Sequence, residues 1–176
     1  VALAASEGWD GVLTDVATRI GEPVVAQVEV AVDHSVRGKC TLPYPGHKKG
    51  CPNFGKKSIC PPAAPMIENV LNLAEPVWLV AVSFDLATHV LRMGEKHPDW
   101  TARQRANLLY WQGSVKKALR RAALRHAMSA GLCLILECPE ACGVDMTATC
   151  ANAGITLEWP PVNTVWKAVL VGTRVG

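Results

Sequence analysis

Apolar residues at Val12, Leu13, Val16 and Ile20 share one helical face, which predicts a short helix over Asp10–Ile20 stopped by Gly21. Val24–Val32 alternates instead. Val24, Ala26, Val28, Val30 and Val32 interleave with Val25, Gln27, Glu29 and Ala31, the period of a strand. Met66–Ala74 reads as helix, Val77–Phe84 as a continuous apolar strand, and Leu86–Met93 fits either element. In Thr101–Ala130, Leu108, Trp111, Val115, Leu119 and Ala122 recur at spacings of three and four. Lys116, Lys117, Arg120, Arg121 and Arg125 lie mostly on the other side, which predicts one long helix closed by Gly131. Leu132–Glu137 reads as a third strand and Val144–Ala153 as a short helix ending at Gly154. Thr164–Thr173 reads as a fourth strand entered through Pro160-Pro161.

Val36–Pro65 breaks this rhythm. It holds six prolines, five lysines, four glycines and three cysteines, the composition of a loop with no regular element. Strands alternating with helices predict an α/β fold. The expected architecture is a single domain, residues 1–176, built as a sandwich around a small mixed sheet. A long Cys/Pro/Gly-rich metal-binding loop at 36–65 is expected beside a second cysteine segment at 133–150.

A chain of 176 residues, 49% hydrophobic and 19% charged, is large enough to bury a core and too apolar to be disordered. Its net charge of +3 is too small to imply nucleic-acid binding. The longest apolar stretches, such as Trp78–Phe84 and Leu132–Leu136, fall well short of the roughly 20 residues that span a bilayer, so no membrane segment is expected. Ala2-Leu3-Ala4 is similar to the small-residue end of a signal peptide, but no charged n-region or apolar h-region accompanies it. A cytoplasmic location is expected.

Seven cysteines is a high and odd number. Secreted disulfide scaffolds are usually shorter and evenly paired, and a chain with a full core has little need of cross-links. The thiols therefore read as ligands, reactive groups or buried residues. They form two clusters, Cys40-x10-Cys51-x8-Cys60 and Cys133-x4-Cys138-x3-Cys142-x7-Cys150. Cys51, Cys60 and Cys138 each precede proline, which stiffens the turn after the sulfur. Cys40, Cys51, Cys60, Cys138 and Cys142 are the expected metal ligands. Lys56 and Lys57, framed by Gly50 and Gly55, are expected beside the cofactor, where they would offset thiolate charge. Cys133, in an apolar strand, reads equally as an inert buried thiol, and Cys150, mid-helix among alanines, as a structural one.

A loop of about 30 residues without secondary structure is unusual in a compact domain, and a metal that closes it would supply ordering free energy. Thiolates suit both zinc and iron–sulfur clusters. Neither group contains the Cys-x-x-Cys pair typical of zinc sites, and irregular spacing with Cys-Pro favours a [4Fe–4S] cluster, zinc being the alternative. His34 and His47 could serve a mononuclear site or simply be solvated. His126 reads as a helix-capping residue, and His89 and His97 carry no signal. Glu137, Glu140 and Asp145 could act as acids or bases, or stand as surface and helix-start residues. No Walker loop, dinucleotide fingerprint or nucleophile elbow is present.

The run Cys51-Pro52-Asn53-Phe54-Gly55-Lys56 with Cys60-Pro61-Pro62 resembles an uncharacterised family of anaerobic bacteria and archaea, labelled "predicted metal-binding protein", whose pattern is Cys, two residues, Tyr, Gly, then Cys-Pro-Pro. Phe54 stands where that pattern has tyrosine. Val36-Arg37-Gly38-Lys39-Cys40 resembles the family's lead-in, and Glu140-Ala141-Cys142-Gly143-Val144-Asp145 its Glu-Ala-x-Gly-Ile-Asp segment. The similarity covers most of Val30–Gly172. It departs at the insert between Cys40 and Cys51, and at Cys133…Cys138, where the family is richer in cysteine. The resemblance implies a metal centre, most readily [4Fe–4S], and no particular reaction. Two roles follow as expectations. One is a small-molecule enzyme using an open cluster iron. The other is an electron-transfer or partner subunit. The basic face of the long helix reads as a solvated face, or as a dock for an acidic redox protein.

Overall fold

β1 (Val24–Gln27), β2 (Trp78–Asp85), β3 (Leu134–Leu136) and β4 (Thr164–Gly172) form one sheet in the order β1-β2-β4-β3. The computed structural model describes residues 16–44 and 47–176. The sheet is antiparallel where a mixed one was expected. β3 meets β4 in the register Leu134↔Gly172, Ile135↔Val171 and Leu136↔Leu170. Helices accompany it: α1 (Leu86–Lys96), α2 (Ala102–Arg105), α3 (Gln112–Ala130) and α4 (Met146–Asn152). The helix expected over Asp10–Ile20 lies largely outside the described residues. Of it, Val16 and Ala17 are helical, and Ile20 bridges to Phe84.

The chain divides into two compact units. Unit 1 gathers the described part of Val1–Val24 with Ala81–Ala122 and Glu158–Lys167. Its core is aromatic: the Phe84 ring stacks on Trp111, centroids 4.8 Å apart, and the His89 ring lies tilted against Phe84 at 5.4 Å. Unit 2 holds Val25–Val80, Ala123–Leu157 and Ala168–Gly176. Ile67, Leu71, Leu79, Val144, Leu170 and Val171 are fully buried within it. Every cysteine belongs to unit 2.

Several elements depart from the pattern in the sequence. β1 stops at Gln27 instead of running to Val32 because its hydrogen-bond partners change. The Ala31 carbonyl accepts from the Asp145 N–H (2.8 Å), and the Ala31 N–H donates to Thr149 Oγ1 (3.1 Å). Met66–Ala74 is not a helix. It is a single 3₁₀ turn, Ile67–Asn69, after which Leu71 bridges to Arg174. The long helix over Thr101–Ala130 is three pieces. A capping box between Thr101 and Gln104 opens α2, and Asn107 Oδ1 accepts from the Leu109 N–H to open the turn Leu108–Tyr110. α3 starts only after that. Leu108, the first residue of the apolar stripe, is 51% exposed, so the stripe becomes a buried face only from Trp111 on.

Candidate metal centre

The 36–65 loop is more ordered than its composition suggests. His34–Thr41 forms a 3₁₀ helix, where no regular element was expected. Asp33 Oδ1 caps it by accepting from the Ser35 N–H at 2.9 Å. The Cys40 carbonyl then accepts from the Cys51 N–H at 2.8 Å, which joins the two ends of the intervening insert. Gly50 makes this possible. Its φ is +79°, and a Cβ there would stand 2.6 Å from the Cys40 carbonyl oxygen, so only glycine fits. Further on, Gly55 N–H donates to the Pro61 carbonyl (2.8 Å) and Ala64 N–H to the Cys60 carbonyl (2.9 Å). Arg37 ties the end of the loop back to its start. Its Nη2 donates to the carbonyls of Pro62 (3.1 Å) and Ala64 (2.8 Å).

The second cysteine segment is brought alongside by backbone pairing. Cys138 precedes a 3₁₀ turn, Pro139–Cys142, that ends at left-handed Gly143. The Gly143 carbonyl accepts from the Asp33 N–H at 2.8 Å, and Val32 bridges to Val144. The two 3₁₀ helices, each carrying expected ligands, therefore touch. Asp145 spends its carboxylate on the first turn of α4, accepting from the N–H groups of Thr147 (2.8 Å) and Ala148 (3.1 Å). It is a helix-start residue and not a free base.

The thiols feel one another. Burial raises the pKa of Cys40, and the neighbouring Cys51, Cys60 and Glu140 raise it further, while Arg37 pulls the other way. Burial likewise raises Cys138, helped by Glu140, Cys60, Glu137 and Cys142. Burial raises Cys142 against the pull of Arg37, with Glu140 adding to the rise. Cys60 is thus the thiol felt by both Cys40, which also feels Cys51, and Cys138, which also feels Cys142, so the two segments meet electrostatically at Cys60. All seven thiols are free of disulfides. Among the described residues, no group of three or more His, Cys, Asp or Glu stands close enough to hold a single metal ion.

The other candidates fall elsewhere. Lys56 lines a cavity of about 460 Å³ with Cys40, Cys51, His47, Lys48 and Lys49, whereas Lys57 is exposed, its carbonyl accepting from the Cys60 N–H. His34 Nε2 is 3.0 Å from Glu68 Oε1. His126 is no cap: its ring packs on Trp78 at 4.7 Å. Cys133 is exposed and sits just before β3, so it is neither a strand residue nor a buried thiol. Cys150 is buried in α4 as expected. Arg37 was missed as a site residue. Its only sequence signal was its place in the Val-Arg-x-Lys-Cys lead-in.

Burial pushes the Cys150 thiol up to about 11 from an ordinary value of 9.0, with Glu140 adding to the effect. The folded thiol keeps its proton where the unfolded one loses it. Its stabilising contribution is therefore complete below pH 9 and withdrawn between about 9 and about 11. In metal-free protein at pH 8, iodoacetamide should modify Cys133 first and Cys150 last, read by peptide mass spectrometry. Early labelling of Cys150 would contradict its protection.

Comparison with known families, curated proteins and solved structures finds no match to this chain. Among the described residues no helix is long and apolar enough to cross a membrane.

Proposed function

We propose that this protein binds an inorganic centre through cysteine sulfur, a [4Fe–4S] cluster held by Cys40, Cys51 and Cys60 with Cys138 as the fourth thiolate. The observation that carries this reading is that Cys60 of the loop raises the pKa of both Cys40 and Cys138, together with the backbone pairing that sets the His34–Thr41 helix against the Pro139–Cys142 turn. Nothing in core packing calls for four cysteines from two distant segments to converge at a Pro/Gly-rich surface loop. A thiolate-rich centre needs that arrangement, together with nearby positive charge, which Arg37 and Lys56 supply.

The irregular sequence spacing of the cysteines, with Cys-Pro pairs and no Cys-x-x-Cys, favours a cluster over zinc. Cys142 is the weaker ligand candidate, being only 4% exposed. With Cys138 bound, the centre is closed and suits electron transfer to a redox partner. With Cys138 held off, the fourth iron is open to a small molecule and the thiol is free to work beside it. The raised thiol pKa values mean that loading must displace protons, so uptake weakens as pH falls.

Anaerobic purification followed by an absorption spectrum and metal analysis tests the proposal. Broad absorbance near about 400 nm with about four iron and four sulfide per chain is the expected result. A colourless protein carrying one zinc per chain overturns it in favour of a structural zinc domain.

A further inference from the structure

Positive charge is gathered in one part of this chain. Residues 36–65 hold six of its eighteen lysines and arginines and no Asp or Glu, a local charge of +6. The rest of the chain sets the other twelve cations against all fifteen acids, a net −3. Two of the six are engaged locally: Arg37 donates to the Pro62 and Ala64 carbonyls, and Lys39 acts on the Asp33 carboxylate. The other four, Lys48, Lys49, Lys56 and Lys57, are exposed. Acids close to the loop are committed elsewhere. Asp33 caps Ser35, Glu68 meets His34 at 3.0 Å, and Glu140 acts on the thiols of Cys40 and Cys138. Among the described residues, no carboxylate lines the cavity of about 460 Å³ that Lys48, Lys49 and Lys56 help to wall.

These lysines stand on a hydrogen-bonded frame. Lys48 and Lys49 are the central residues of a turn that the Gly50 N–H closes on the His47 carbonyl at 3.1 Å. Lys56 ends a turn closed by its own N–H on the Asn53 carbonyl (3.1 Å), and Lys57 begins one closed by the Cys60 N–H (3.0 Å). The ordering cost of binding therefore falls on side chains more than on backbone. The same loop exposes large apolar residues. Leu42 is 57% and Ile59 58% exposed, and Phe54 stands exposed in the cavity lining. A merely solvated lysine face has no use for them, whereas cations mixed with exposed apolar side chains mark an interaction surface.

We propose that the 36–65 face docks a protein partner through an acidic patch, its carboxylates against Lys48, Lys49, Lys56 and Lys57 and one apolar side chain seated in the cavity against Phe54. Opposite charge steers the encounter, and the concavity gives the partner an anchor point. A protein fits this face better than other polyanions do. A bilayer surface is flat and leaves the concavity empty. A nucleic acid carries its charge past a thirty-residue loop, and the remainder of this chain is net negative. The Tyr44 ring, on which a base could stack, already lies against His47 at 4.6 Å. Cys40 and Cys51 are walls of the same cavity. On the metal reading, on which this one consequence rests, the partner sits beside the inorganic centre.

The test is calorimetry on the whole chain, purified anaerobically and with its metal content measured in the same sample. The probes are a short peptide of glutamates around one central tryptophan, its glutamine counterpart, free glutamate, phosphatidylserine vesicles and an oligonucleotide of matched charge. Saturable binding of the acidic peptide is expected, weakening from low salt to about 150 mM as screening sets in, with no binding of the glutamine peptide. K48Q/K49Q should weaken the complex about fivefold or more. K116Q/K117Q, the matching exposed pair on α3, should change it less than about twofold. No saturable peptide binding up to about 1 mM overturns the proposal. Equal loss in the two double variants also overturns it, since the attraction would then be unspecific. So does free glutamate binding as tightly as the peptide, which makes the cavity a small-acid site, or tighter binding of vesicles or oligonucleotide, which assigns the face to a membrane or a nucleic acid. Peptide binding by protein without metal keeps the dock and removes the metal reading, and full iron and sulfide without peptide binding does the reverse.

Discussion

Cys60→Ser should lose the metal and loosen residues 36–65, whereas Cys150→Ser should keep both. The contrast is sharp because the two thiols differ in everything except chemistry. Cys60 sits in the loop, in reach of Cys40 and Cys138, with its own N–H and carbonyl fixed by Lys57 and Ala64. Those backbone bonds survive the exchange of sulfur for oxygen, so any loosening is traceable to the lost ligand. Cys150 is 1% exposed in α4, and Glu140 is the one charged group that contributes to its shift. Metal binding by a thiolate site is folding free energy, on the order of 10 kcal/mol for a full structural set, and removing one of four sulfurs forfeits a large share of it. Iron and sulfide analysis reads the first effect. Hydrogen exchange at the N–H groups of Cys51, Gly55 and Ala64, which close the loop, reads the second. Equal metal loss in both variants would overturn the ranking of ligands.

What could be read in the chain beforehand was local. Strand β2 announces itself because Leu79, Val80, Ala81 and Val82 are all buried, and a continuous apolar run fits only a strand covered on both faces. The cysteine loop was equally visible, since no other element accommodates six prolines in thirty residues. What failed was whatever depended on a distant partner. Val28–Val32 keeps the alternation of a strand, yet Val28 alone still donates to Val77, while Glu29 and Ala31 bond to Asn152, Asp145 and Thr149 in and before α4, more than a hundred residues on, which no periodicity reports. The Leu108–Trp111 spacing is helical, but the caps at Thr101 and Asn107 outrank it, because a side chain that takes a backbone N–H ends one helix and starts another. Arg37 is an unremarkable cation in the sequence. Its value lies in two carbonyls, Pro62 and Ala64, that only the folded loop presents. The contact between Arg19 and His89, seventy residues apart, was silent for the same reason.

Gly143→Ala should destabilise the protein by about 2–5 kcal/mol and cut metal content, although it touches no sulfur. Gly143 ends the Pro139–Cys142 turn with φ at +91°, a conformation that costs any L-residue with a Cβ about 1–2 kcal/mol. The added methyl would also collide with His34. It would overlap Nδ1, which a ring rotation could relieve, and stand 3.2 Å from Cα, which it could not. Overpacking of this kind adds roughly 1–3 kcal/mol. His34 begins the 3₁₀ helix that carries Cys40, and the Gly143 carbonyl is what the Asp33 N–H pairs with. The strain therefore falls on the junction that sets the His34–Thr41 helix against the Pro139–Cys142 turn. For a chain of this length the expected fall in melting temperature is roughly 5–15 °C. Gly113→Ala is the matched control. A Cβ there meets nothing within 4 Å, and the position lies inside α3, so it should gain about 0.5–1 kcal/mol and leave metal content untouched. An unaltered denaturation midpoint with full iron and sulfide in the Gly143 variant would mean that the junction does not bring the two cysteine segments together. If stability falls as expected while the metal stays full, Cys138 is not the fourth ligand, and the three thiols of the 36–65 loop hold the centre without it.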